Sequence, residues 1–268
     1  MLSRRQFLGV AAAACVAAGP PGAPIGLHIR ADGDLRTKLR EAAAIGFREA
    51  EIASWRDIRA TELRKLFEDN GLTCHSAHWT LWENDADSQA TIDAAVELGL
   101  EYLVTPLPSL MGREWFEANE TPAGHAAVSQ KMQLNDWRWN ADWFNHVGGL
   151  CQKNNVQFAY LNHDFEFRPL GAGIAFDELL RRTDPTRVKV EFDPAGAVAG
   201  GYEPVAFLKK YGDRVAMLHV SEVPGSGKVD WPIVLATARA AGVERCYINV
   251  DPARAYAALQ QLRALWVI

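Results

Sequence analysis

Cysteine is scarce in this chain. Four occur among 268 residues, at Cys15, Cys74, Cys151 and Cys246. Without the N-terminal segment three remain, odd in number and far apart. They match neither a disulfide framework nor the paired spacing of a zinc site, so each reads as a small apolar core residue. Positive charge is not in excess. Lys and Arg number 28 against 33 Asp and Glu, a net charge of −5. Nucleic-acid binders cluster Lys and Arg against phosphates, and this balance excludes such a partner. After the N-terminus no apolar run reaches the roughly 18–20 residues that cross a bilayer, so no membrane span is expected. A glycine-rich phosphate loop is missing too. The first strand-like run, Ile25–Arg30, leads into Ala31-Asp32-Gly33-Asp34, which argues against a doubly wound open sheet.

The N-terminus carries an address. Ser3-Arg4-Arg5-Gln6-Phe7-Leu8 precedes an apolar stretch from Gly9 to Ala18. A charged start, a short apolar middle and small residues before a break describe an export signal, and the paired arginines followed by Phe-Leu mark the twin-arginine type. Residues 1–18 are therefore expected to be a signal peptide, residues 19–268 the mature protein, and its location periplasmic or otherwise extracytoplasmic.

Within residues 19–268, strand-like and helix-like segments alternate eight times. The strands are expected at Ile25–Arg30, Glu49–Ala53, Thr73–Trp79, Tyr102–Pro108, Val156–His163, Val188–Asp193, Val215–Ser221 and Cys246–Asp251. They are short apolar runs between turn residues, as in a parallel sheet buried on both faces. Between them run amphipathic helices. Leu35, Leu39, Ala42 and Ala43 share one face, and Leu63, Leu66 and Phe67 another. Gly46, Gly71, Gly99, Gly212 and Gly242 are expected to close helices, where a left-handed cap favours glycine. Eight alternations in one domain predict an α/β fold, a closed (β/α)8 TIM barrel. One connection, Ser109 to Trp137, is long enough to be a lid or binding loop. It holds Trp115, Phe116, Pro122 and His125.

Function in such a barrel gathers at the C-terminal ends of the strands. Those ends present His28, Glu51, His78, His163, Asp193, His219 with Glu222, and Asp251. Trp55, Trp79, Trp82 and Trp115 lie in nearby segments. Such rings suit sugar faces, and equally suit packing of the rim.

Several motifs resemble a known family. Phe158-Ala159-Tyr160-Leu161-Asn162-His163-Asp164-Phe165-Glu166-Phe167 is similar to the "YHNHDFEF" stretch of sugar phosphate isomerase/epimerases, the xylose isomerase-like barrels. Val190-Glu191-Phe192-Asp193, Leu218-His219-Val220, Gly225–Trp231, Gly46–Glu51 and His75-Ser76-Ala77-His78 extend the likeness over essentially the whole mature chain. The resemblance implies a small-molecule carbohydrate substrate and a divalent metal (Mn, Mg or Zn) held at the ends of strands five to eight. It places those ligands at Leu161, Asp193, His219 and Asn249. Leucine has no donor atom, and asparagine offers an uncharged amide oxygen where the family has glutamate. The metal centre therefore reads as incomplete, with His163, two residues beyond Leu161 on the same strand face, as the substitute. The metal set is Asp193, His219, His163 and Asn249.

The family's reaction moves a proton at a carbon beside a carbonyl. An amide cannot be a base near neutral pH, so Glu51, His78 and Glu166 are the catalytic candidates, with Glu222 and Asp251 as further acids. The expected function is an exported sugar isomerase, epimerase or lyase acting on a carbohydrate or oxidised sugar. The alternative is a degenerate barrel that binds a sugar or partner without turnover. A nuclease of the same superfamily would need ligands for three zinc ions and a basic face, and this chain is acidic.

Overall fold

A computed structural model of the chain describes residues 24–53, 55, 57–79, 85–109, 127 and 129–266. Residues 1–18, expected to be a signal peptide, and Trp82, Trp115, Phe116, Pro122 and His125 lie outside the described residues.

Among the described residues, eight parallel strands close into one barrel, each paired with its neighbours in chain order and the last with the first. They are β1 (Ile25–Arg30), β2 (Ala50–Ala53), β3 (Ser76–His78), β4 (Tyr102–Thr105), β5 (Gln157–Leu161), β6 (Val188–Phe192), β7 (Val215–Val220) and β8 (Cys246–Ile248). The closed (β/α)8 barrel expected from the alternation is what forms. Several strands are shorter than expected. Thr73, for example, joins Glu49 through an isolated bridge before β3 begins.

Helices wrap the barrel: α1 (Leu35–Ile45), α2 (Ala60–Asp69), α3 (Asp85–Leu98), α4 (Leu134–Lys153), α5 (Ala175–Arg182), α6 (Pro194–Ala199), α7 (Pro204–Tyr211), α8 (Trp231–Ala240) and α9 (Pro252–Trp266). Their apolar faces meet the outward side chains of the strands in a continuous core that includes Phe158, Tyr160, Phe192 and Leu218. Trp55 and Trp79 are buried in this layer.

Sequence signals at the helix ends act as expected, with one correction. Asp34 accepts from the Thr37 amide to cap α1, and Gly46 ends that helix at φ 112°, a left-handed conformation that favours glycine. Gly212 is different. Its φ is −58°, and a Cβ there would sit 2.5 Å from the Ala241 Cβ. Glycine is needed at that position for close packing of the turn after α7, not for a left-handed cap.

Strand register divides the barrel lining into two halves. Residues paired across neighbouring strands point to the same side. Val104 pairs with Ala159, and Leu161, two residues on, shares its face. These three form a small apolar cluster separate from the outer core, with Tyr102 packed against it. His28 pairs with Glu51, and His78 with Val104. Glu191 pairs with Leu161, and His219 with Tyr247. Strands β4 and β5 thus supply an apolar wall, while β1 to β3, β6 and β7 supply imidazoles and carboxylates.

At the N-terminal end of the barrel the Tyr247 hydroxyl donates to Glu49. Gly26 leaves room for that tyrosine, since a Cβ there would lie 2.5 Å from its ring. Arg245 reaches Glu49 and Glu101, each at 3.0 Å, and His75 pairs with Glu101 at 2.9 Å. This network fills the floor. In this fold the floor contributes stability, and chemistry sits at the opposite mouth.

Candidate functional site

The polar half of the lining converges into one chain of alternating imidazoles and carboxylates. His28 Nδ1 lies 2.8 Å from Glu51 Oε2. The same oxygen is 3.1 Å from His78 Nε2, which is 3.0 Å from Glu191 Oε2. The other oxygen of Glu191 takes His219 Nδ1 at 2.7 Å. His219 Nε2 is 3.0 Å from the Asn249 amide nitrogen. That network assigns the proton of a neutral His219 to Nδ1, with Asn249 donating into Nε2. Ser76 Oγ donates to Glu51 Oε1 at 2.6 Å, so each oxygen of this fully buried carboxylate has a separate task.

Charge in the cluster is balanced internally. Burial by itself would lower the pKa of His78, but Glu51 and Glu191 outweigh it and hold the imidazole up to about 10. Burial likewise favours the neutral carboxyl of Glu51, yet His78 and His28 bring its pKa well below the usual carboxylate range. Glu191 is lowered by His78 and His219 against burial and the nearby Glu51. His28 is lowered by burial and by the neighbouring His78, in spite of Glu51. His219 is raised, because Glu191 overcomes its burial. A His78 imidazolium between two carboxylates is the central charge arrangement.

His28, Glu51, His78 and His219 each offer a donor atom within 4.8 Å of the others, a grouping that could hold a metal ion. Of the residues expected from the sequence, the strand-end His28, Glu51, His78 and His219 are brought together here. His163, Asp193 and Asn249 are not in that foursome, although Asn249 touches His219. Asp193 is the N-cap of α6, accepting from the Ala195 amide, and takes Ser221 Oγ at 3.0 and 2.8 Å. Burial raises its pKa, against His219 and Ser221. The His163 ring stacks on Phe165, centroids 5.3 Å apart. Leu161 belongs to the apolar wall.

The other acids are engaged elsewhere. Glu166, fully buried, accepts the His163 amide at 2.8 Å and bonds the Tyr160 hydroxyl. Burial pushes its pKa up to about 8, against those hydrogen bonds. Glu222 folds back to take the Trp231 indole N–H at 3.0 Å, and its carboxylate occupies the space beside Gly227. Asp251 accepts the Ala253 amide at the start of α9. The indole of Trp55 donates to the His78 carbonyl at 3.0 Å, bracing the end of β3. Glu191 escaped the reading of strand ends because it lies inside β6. Parity would have found it: two residues before Asp193, it shares that residue's face.

A family model described as "Xylose isomerase-like TIM barrel" matches residues 39–265. The chain belongs to this family. Inosose dehydratase 2 of Bacillus cereus is 24% identical over 198 residues, 69% of this chain and 62% of the relative. The match thus spans less than two thirds of that relative's length. Among solved structures, a sugar phosphate isomerase/epimerase from Parabacteroides distasonis superposes with a TM-score of 0.75 at 22% identity, covering 93% of this chain and 96% of the other. A D-psicose 3-epimerase from Clostridium cellulolyticum, solved with D-tagatose, gives a TM-score of 0.68 at 16% identity, covering 91% and 99%. These structural likenesses concern the fold.

Proposed function

We propose that this barrel is a carbohydrate isomerase, epimerase or lyase that moves a proton at a carbon beside a carbonyl of a sugar, an oxidised sugar or a cyclic polyol ketone. The observation that carries the reading is the buried imidazole–carboxylate chain in the barrel lining. Proton transfer beside a carbonyl needs a base, an acid and a stabiliser of negative charge on oxygen. Glu51 and His78 are in contact and differ in proton affinity, so one can accept a proton while the other holds one. Glu191 fixes both His78 and His219 and is a positioning residue. A divalent cation on the His28, Glu51, His78 and His219 donors would take the place of the His78 proton and of the Asn249 contact to His219, and would supply polarisation of the substrate's carbonyl. The inosose dehydratase likeness adds dehydration of a ring ketone to the candidate reactions.

The test is exchange of substrate C–H for deuterium from solvent, followed by NMR with ketohexoses, uronates and inososes. Exchange with at least one class, lost in Glu51→Gln, is expected. Absence of exchange across all three classes would overturn the reading. A second reading is sugar binding without turnover. It is favoured by Leu161 and Asn249, which bring no charge to positions where the resemblance expects ligands. Calorimetric sugar binding without exchange would establish it. We further propose export by the twin-arginine route. Replacing Arg4 and Arg5 with Lys should leave the protein in the cytoplasm with residues 1–18 attached, and unchanged export would refute it.

A further inference from the structure

We propose that this chain carries its metal on the β1–β3 and β7 side of the barrel, where His28, Glu51, His78 and His219 select a first-row transition cation such as zinc, cobalt(II) or iron(II) over magnesium. The inference rests on the metal-assisted reading above and adds the position and chemical class of the ion.

Donor chemistry decides the class. Three imidazoles and one carboxylate are nitrogen-rich. Magnesium prefers oxygen and keeps much of its water, whereas imidazole suits zinc, iron and their neighbours. Spacing agrees. Each donor on such an ion stands about 2.0–2.2 Å from it, so two donors on one ion lie roughly 3 Å apart. Glu51 Oε2 is 2.8 Å from His28 Nδ1 and 3.1 Å from His78 Nε2. Glu51 is prepared to bind through that one oxygen, because Ser76 already holds the other at 2.6 Å.

Glu191 completes the support. It is fully buried and pairs with His219 Nδ1 at 2.7 Å, which orients that imidazole; its other oxygen lies 3.0 Å from His78 Nε2, the nitrogen that would face the ion. Carboxylates in this relation to a ligating histidine fix its ring and raise its basicity. With Glu51 it places two negative charges beside a divalent ion. His28, Glu51, His78 and Glu191 all stand within strands, which hold side chains more exactly than loops do. Among the described residues the opposite wall offers no comparable set. Leu161 packs with Val104 and Ala159, and the Asp193 carboxylate is engaged by Ser221 and the Ala195 amide.

The experiment is cobalt(II) titration of the full mature chain after chelator treatment, read by the visible d–d absorption of the bound ion. One equivalent should give a saturating band, displaced by one equivalent of zinc and retained in a large excess of magnesium. His28→Gln and His78→Gln, confirmed folded by circular dichroism, should each weaken cobalt binding by about 100-fold or more, since losing a nitrogen bound to the ion costs more than the roughly 10–100-fold typical of groups that only hold the ligands. Glu191→Gln should weaken it by about 10–100-fold. Asp193→Asn should leave it unchanged. Loss of cobalt binding in Asp193→Asn with retention in His28→Gln would move the ion to β5–β8 and overturn the proposal. So would displacement by magnesium, or the absence of stoichiometric cobalt. The functional reading fails separately. A protein that exchanges substrate protons without binding cobalt keeps that reading and loses this one, and a cobalt-binding protein that exchanges none does the reverse.

Discussion

Glu166 is the residue whose environment has the plainest consequence for stability. It is fully buried, and its carboxyl pKa rises from 4.5 to about 8. Folding therefore retains a proton that the unfolded chain releases between those values. The stability it contributes is complete below about pH 4.5 and is lost as pH rises through 8. Glutamine matches the protonated form in size and in carrying no charge, and it keeps an acceptor oxygen beside the Tyr160 hydroxyl and the His163 amide, both of which donate to Glu166. Glu166→Gln should be more stable than the parent at pH 9 and similar at pH 5, with a difference of roughly 3–5 kcal/mol between the two comparisons. Urea denaturation at both pH values checks this, and parallel profiles would show that Glu166 is ionised in the fold. At this scale the sequence was partly legible. Strand-end residues named His28, Glu51, His78 and His219, because barrel geometry sends such ends to one mouth. It could not separate acids that face the mouth from acids that hold backbone. Asp251 and Glu222 stand beside strand ends, yet they bind an amide of α9 and the Trp231 indole. Which way such a side chain turns depends on the loop that follows it.

Asp193 shows how an element can claim a residue. It caps α6, whose first residue is proline, so the aspartate faces the backbone amides of a helix that has to start there. Asp193→Ala should lower stability by about 0.5–2 kcal/mol, while Asp193→Asn, which keeps an acceptor oxygen, should cost less. Thermal unfolding of the two variants separates capping from charge. Gly212→Ala should cost about 1–3 kcal/mol through overpacking against Ala241, with no contribution from a left-handed backbone. A measured change near zero would mean that the turn and α8 separate readily. The alternation of elements was readable because glycine caps and apolar periodicity agree. Strand lengths were not. A run such as Thr73–Trp79 has strand character throughout, but only Ser76–His78 forms the ladder beside β4. Pairing partners, set by the closed barrel, decide where a strand ends.

Over the whole molecule, charge is stored at two levels of the barrel, and the lower level is structural. Arg245→Met would leave Glu49 and Glu101 without their shared cation. Glu49 is 6% exposed, so its loss of a partner is felt, while Glu101 is largely solvated. A loss of about 1–3 kcal/mol is expected, less than for a fully buried pair. Adding Glu49→Gln should recover part of it, and a double-mutant cycle by urea denaturation measures the coupling. The division of the lining into an apolar wall on β4 and β5 and a hydrogen-bonding wall opposite has a different kind of consequence. A sugar ring has two unlike faces, one rich in C–H and one in hydroxyl. Lodged at the top of these walls, it would be turned one way, its C–H side toward Leu161, which Val104 and Ala159 back from beneath. Handedness at the reacting carbon would then follow from how the ring lies down. Changing Leu161 to a polar residue would loosen stereochemical outcome before it slowed proton removal.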